Sequence, residues 1–178
     1  MKRLLLLRHA QTEQANKDTP ADSERQLTEQ GQKDATKIGR ALADRNYSAD
    51  LIVCSPSRRT RQTLELATSQ WRSTAKVEFV DAIYAASAQR LVKVIHALPD
   101  SAAAVLMIGH NPGMEDCLAL LTPREQTPVD ANGKGTPHRD FPTAALALLD
   151  FTVAKWPEIL AHSGVLAEFI RPKNLIDT

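Results

Sequence analysis

Apolar residues in this chain follow two rhythms. Leu4 to Leu7 form an unbroken apolar run, which predicts a strand over Arg3–Leu7 buried on both faces. Similar short runs predict strands at Leu51–Cys54, Val77–Val80 (an edge strand), Ala103–Ile108, Ala144–Phe151 and Val165–Ile170. Between them the spacing changes to that of a helix. Ala35, Ile38 and Leu42 make one stripe in a helix from about Thr28, its N-cap, to Asn46. Ser55 is read as the cap of a helix that starts at Pro56 and runs to about Trp71. Leu91, Val94, Ile95 and Leu98 share a face of a helix opened by Ser87 and ended by Pro99-Asp100. Met114 to Leu121 is a further short helix. The stretch from Arg8 to Gln26 is polar, and Pro123 to Pro142 reads as a long loop of functional length. Strand and helix alternate, as in doubly wound α/β folds.

Composition narrows the functional classes. The 178 residues carry 22 basic and 21 acidic side chains, net +1, so no basic surface is available for nucleic acid or an anionic membrane. A phosphate site would have to be a local basic pocket. No apolar stretch approaches the ~20 residues of a membrane span, and the expectation is a cytoplasmic protein of one domain, residues 1–178. Cys54 and Cys117 sit in apolar surroundings and read as reduced, buried residues. No spacing among His96, His138 and His162 matches a zinc set, and phosphate-loop and dinucleotide fingerprints are absent, so neither metal nor cofactor is expected.

The candidate chemistry lies where strands end. Leu7-Arg8-His9 sets a guanidinium and an imidazole side by side after the first strand. Ligands of open α/β sheets bind at such C-terminal strand ends. Ser55-Pro56-Ser57-Arg58-Arg59-Thr60-Arg61 follows the second strand, and Gly109-His110-Asn111-Pro112 follows Ala103–Ile108. With Val80-Asp81-Ala82-Ile83-Tyr84, Arg25-Gln26-Leu27-Thr28-Glu29-Gln30-Gly31 and Phe141-Pro142-Thr143-Ala144-Ala145, these segments resemble the histidine phosphatase superfamily, which includes the phosphoglycerate mutases. The likeness is closer to its small branch of SixA-like phosphohistidine phosphatases.

That resemblance implies a three-layer α/β/α sandwich with a mostly parallel central sheet. It implies His9 as nucleophile, with a covalent phosphohistidine that water hydrolyses. An imidazole can attack phosphorus when one ring nitrogen is bare and the other is held by an acceptor. Arg8 and Arg59 would clamp the phosphoryl oxygens, since a planar fork of donors matches them. His110 would bond the transferring group as a donor or a cation, with Gly109 leaving room for close approach. Gln11 and Thr12 could touch the phosphate or order the loop, and Arg25 and Thr28 would order that loop against the next helix. Arg58 and Arg61 read as a solvated helix face. Thr143 could line the pocket or start a strand.

Two positions depart from the family pattern. Asp81 stands three residues before Tyr84, where many members carry a glutamate acid, and Glu13 is a competing carboxylate. An aspartic acid donates a proton near neutrality only if its pKa is raised from about 3.9. Six residues after His9 stands Ala15 rather than asparagine, with Asn16 one later. The implied substrates are a phosphohistidine on a protein, such as a histidine-containing phosphotransfer domain, or a small phosphoester. A phosphoprotein-binding module without turnover is the alternative from another class.

Overall fold

The computed structural model describes residues 1–14, 21–123 and 141–176. A six-stranded sheet runs through the middle, built from β1 (Lys2–Arg8), β2 (Leu51–Cys54), β3 (Lys76–Phe79), β4 (Ala104–Gly109), β5 (Leu146–Phe151) and β6 (Val165–Ile170). Their order is β3-β2-β4-β1-β5-β6. β1, β2, β3 and β4 pair in parallel, whereas β5 pairs antiparallel with both β1 and β6. The expected mostly parallel sheet with helices on both faces is thus observed.

The Leu run is continuous because β1 is buried on both sides. Leu4 and Leu6 join Val53, Val105, Met107 and Leu149 on one face. Leu5 and Leu7 join Ile52, Leu106, Ile108 and Leu148 on the other. The first face is covered by α3 (Ala88–His96) and α4 (Gly113–Leu121), through Leu91, Ile95, Met114 and Leu118. The second is covered by α1 (Glu29–Asp44) and α2 (Arg58–Trp71), through Ile38, Leu42, Leu64 and Trp71. Each side chain reaches its layer because strand residues alternate faces.

Two local expectations are corrected, and Gly109 gains a second role. α2 starts at Arg58, with Ser57 at the N-cap and Pro56 in a preceding bend. Thr60 Oγ1 donates to the Ser55 carbonyl at 2.7 Å, which ties down that extra turn, and the Ser55 hydroxyl is engaged elsewhere. The strand after Phe141 begins at Leu146, because Ala144 takes a left-handed φ of 56° and Ala145 N–H closes a turn onto the Pro142 carbonyl. Gly109 is needed for packing: a Cβ there would meet Met114 Sδ at 2.9 Å and Ile83 Cγ2 at 3.0 Å, both on the covered face. Among the described residues no helix is long and apolar enough to cross a membrane.

Candidate active site

Register brings the two histidines together. β1 and β4 pair with Arg8 opposite Gly109, so the next residue of each strand is a neighbour. His9 N–H donates to the Gly109 carbonyl at 3.1 Å, and the ring centroids of His9 and His110 lie 5.2 Å apart. Ser55 arrives from β2 on the same edge, its N–H donating to the Ile108 carbonyl at 3.0 Å. Three parallel strand ends thus deliver one floor, with His9 9%, His110 6% and Arg59 6% exposed.

Hydrogen bonds fix the state of each ring. His9 Nδ1 donates to the Ala10 carbonyl at 2.8 Å, which leaves Nε2 with its lone pair. Burial holds the His9 pKa at about 4, reinforced by Arg59, Arg8 and Arg25 and opposed by the Ala10 carbonyl. The free imidazole is therefore neutral at neutral pH. Ala10 is itself pinned, its N–H donating to Thr63 Oγ1 of α2 at 3.0 Å. His110 Nδ1 accepts from Arg59 Nε at 3.3 Å, so its Nε2–H donates to Ser55 Oγ at 2.7 Å. Burial first, then Arg59 and His9, lower the His110 pKa to about 3. Of the two states expected for His110, the unliganded site therefore holds the neutral one.

The two arginines differ. Arg8 Nη1 donates to the Phe141 carbonyl at 2.8 Å, while its Nε is buried with no partner among the described residues. A buried guanidinium N–H left unmatched is costly unless a ligand completes it. Each nitrogen of Arg59 has one partner, Nε on His110, Nη1 on the Asp22 carbonyl at 2.7 Å and Nη2 on Asp22 Oδ2 at 3.0 Å, which uses three of the five guanidinium N–H groups. Asn111 Nδ2 donates to the same Phe141 carbonyl at 3.0 Å and to Glu115 Oε2 at 2.9 Å, so Phe141 is held at the margin of the site.

Asp22, Tyr84 and Ser55 are the residues that the sequence reasoning did not place here. Asp22 opens a short 3-10 turn, Asp22–Glu24, and accepts from Arg59, from Tyr84 OH at 2.8 Å and from Arg25 Nη1 at 3.2 Å. Its pKa is pulled down to about 2, first by the Tyr84 hydroxyl and then by Arg25 and Arg59. Tyr84 stands edge-on to His110 with centroids 5.4 Å apart. Tyr84 and Ser55 each had a signal in the sequence, Tyr84 as the marker for Asp81 and Ser55 as the first residue of the motif after the second strand; Asp22 sits in a polar stretch without periodicity.

The remaining expected residues divide. Arg25 Nη2 bonds Thr12 Oγ1 at 2.7 Å and the Glu13 carbonyl at 2.8 Å, and Thr28 Oγ1 donates to Gln11 Oε1 at 3.0 Å while capping α1 at the Gly31 N–H. Gln11 and Thr12 are thus engaged in ordering the loop. Asp81 and Glu13 are exposed, and the Asp81 carboxyl has no hydrogen-bond partner among the described residues. Arg58 and Arg61 are exposed as expected; Arg61 lies over the Phe79 ring at 4.2 Å. Thr143 is half-buried. Cys54 and Cys117 are buried free thiols, with pKa values pushed to about 12 by burial. Asn16, His138 and the interior of the Pro123–Pro142 segment lie outside the described residues. Among the described residues no group of three His, Cys, Asp or Glu is arranged to hold a metal ion.

The chain is similar to known proteins in sequence and in fold. The family model of the histidine phosphatase superfamily (branch 1) matches residues 4–83. A solved structure of a candidate phosphohistidine phosphatase SixA from Nakamurella multipartitia is 29% identical, aligns over 96% of both chains and has a TM-score of 0.79. The corresponding candidate from Agrobacterium tumefaciens is 30% identical over 96% of this chain and 98% of its own, with a TM-score of 0.76. An uncharacterized chloroplastic protein of Arabidopsis thaliana is 30% identical over 173 residues, or 92% of this chain and 72% of the plant protein.

Proposed function

The chain belongs to the histidine phosphatase superfamily and is a phosphatase; on that premise we propose that it removes phosphoryl groups from histidine on a protein, through a phosphohistidine on His9 and without a metal ion. The observation that carries the mechanism is the His9 ring: Nδ1 is tied to the Ala10 carbonyl and Nε2 is bare, beside two arginines. Nε2 attacks phosphorus, the bond from phosphorus to the leaving atom breaks, and its electron pair departs with that atom. Water then attacks the phosphorus on His9, the pair of the breaking P–N bond returns to Nε2, and phosphate leaves.

Arg8 offers its unmatched Nε to a phosphoryl oxygen, and Arg59 supplies the second fork. A phosphoryl dianion between the rings raises the proton affinity of His110, which then donates to a phosphoryl oxygen. Gln11 and Thr12 support the loop that follows His9. Asp81, exposed on the turn before α3, is the proposed proton donor for oxygen leaving groups. The resemblance to candidate phosphohistidine phosphatases supports phosphohistidine as the substrate group; a histidine-containing phosphotransfer domain is the proposed partner, met by this single domain in the cytoplasm. A small phosphoester is the second reading, since attack on phosphorus by His9 is the same whatever group carries the phosphoryl.

The test is hydrolysis of an aryl phosphate and of a phosphorylated histidine-containing transfer domain, in excess EDTA, by wild type and His9→Ala. The expected result is EDTA-resistant turnover that vanishes in the variant, with acid-labile label trapped on His9 and the phosphoprotein preferred. Activity lost to EDTA, or equal in both proteins, overturns the mechanism; a preference for small phosphoesters moves the substrate to the second reading.

A further inference from the structure

Asp22 is a carboxylate at the outer edge of a phosphate site, bonded to Arg59, where it weakens the attraction for a phosphoryl anion. Its Oδ2 takes Arg59 and Tyr84, and its Oδ1 takes Arg25. A carboxylate has about four acceptor positions, so these three donors leave capacity. The side chain is 53% exposed, so its remaining acceptor positions are open to a partner. Held at about 2, it stays charged at working pH and has no proton to give.

We propose that Asp22 selects phosphoryl groups carried on an imidazole, by accepting the N–H of the leaving ring. This inference rests on the phosphohistidine reading above. When the P–N bond of a phosphoimidazole breaks, the electron pair stays on nitrogen. The ring leaves as neutral imidazole only if its other nitrogen already carries a proton; otherwise it must leave as an anion. A carboxylate bonded to that distal N–H keeps the ring protonated through the bond-breaking step. An oxygen leaving group has the opposite need, since it must gain a proton, which this carboxylate cannot supply. Asp22 therefore favours nitrogen over oxygen at the leaving position, and its bonds to Arg59 and Tyr84 place it against the residues that hold the phosphoryl group.

The experiment measures kcat and KM for wild type, Asp22→Asn and Asp22→Glu on phosphoimidazole and on p-nitrophenyl phosphate across pH. Asp22→Asn should lose roughly tenfold more kcat/KM on phosphoimidazole than on the aryl phosphate, about the worth of one charge-assisted hydrogen bond. Its alkaline limb on phosphoimidazole should move down by about one pH unit, with none on the aryl phosphate. Asp22→Glu should restore the preference. An equal change on both substrates, in either direction, or an unmoved limb overturns the proposal and leaves Asp22 as a tether for Arg59. Wild type that labels His9 yet shows equal losses in Asp22→Asn sinks only this inference; wild type that never labels His9 sinks the mechanism beneath it as well.

Discussion

The floor of the active site and its outer wall are held by different forces. The floor comprises Arg8, His9, Ser55 and His110, each within a residue of the end of a parallel strand. Main-chain bonds set it: His9 N–H to Gly109 O, Ser55 N–H to Ile108 O, Arg8 N–H to Ala145 O. The wall comprises Asp22, Arg25 and Tyr84, which come from a 3-10 turn, the residue that closes it and the turn before α3; Arg25 N–H donates to the Asp22 carbonyl at 3.3 Å, and Tyr84 joins them through its side-chain hydroxyl. The floor therefore cannot shift without breaking the sheet, whereas the wall can part from Arg59 at the cost of partly exposed polar contacts. A site that must first accept a phosphoryl group and then release phosphate gains from that division: a rigid place for bond making beside a surface able to yield.

The largest effect expected of any substitution is at the floor. His9→Ala should lower kcat by roughly 10³-fold or more, because no second nucleophile stands in its place. Rapid-quench labelling checks this, and labelled protein in the variant would move the nucleophile elsewhere. Arg8→Ala should cost roughly 10²–10³-fold in kcat/KM, the usual loss on removing a donor at developing charge. If Arg8→Ala proves milder than Arg59→Ala, the buried idle Nε of Arg8 is not the principal phosphoryl contact.

Acidity should separate the floor from the substrate. His9 must be neutral to attack, so kcat/KM should fall tenfold per pH unit only below about 4, and not near the ordinary histidine value of about 6.5. The same two rings bear on stability. Both pKa values are depressed in the folded chain, so their contribution is complete above the unfolded value and is lost as pH falls from about 6.5 towards 4 and 3. Urea midpoints should decline across that window, and the decline should be smaller in His110→Asn.

Smaller effects test the packing beneath the floor and the wall beside it. Gly109→Ala should destabilise by about 1–3 kcal/mol through crowding of Met114 and Ile83, read as a lower thermal midpoint. Tyr84→Phe should cost only a few-fold in kcat/KM, since one partly exposed hydrogen bond to Asp22 is lost. A Tyr84→Phe loss as large as that of Arg8→Ala would break the distinction between floor and wall.

The same division governs what could be read before the fold was known. The order of strands and helices was legible, because alternation between period 2 and period 3.6 is a property of neighbours in sequence. His9, Arg59 and His110 were legible because each follows a buried run and stands within a recognisable motif. The exact start of α2 was not, since Ser55, a sound cap by local rules, is drawn away by the His110 Nε2–H. Gly109 was assigned to ligand approach, and its packing partners Met114 and Ile83 become visible only when β4 meets the helix layer.

Sequence alone therefore determined the α/β class, the family resemblance and Arg8, His9 and His110 of the floor, because these follow from short-range pattern and from side chains fixed to strand ends. Tertiary structure decided which carboxylate enters the site. Asp22 is 37 residues from Arg59 and 62 from Tyr84, whereas Asp81, only three positions from Tyr84, points its unpartnered carboxyl to solvent. Nothing in local periodicity encodes such a meeting. It arises when the loop after β1 folds across the N-terminus of α2, and the charge on Arg59 selects the acid that comes within reach.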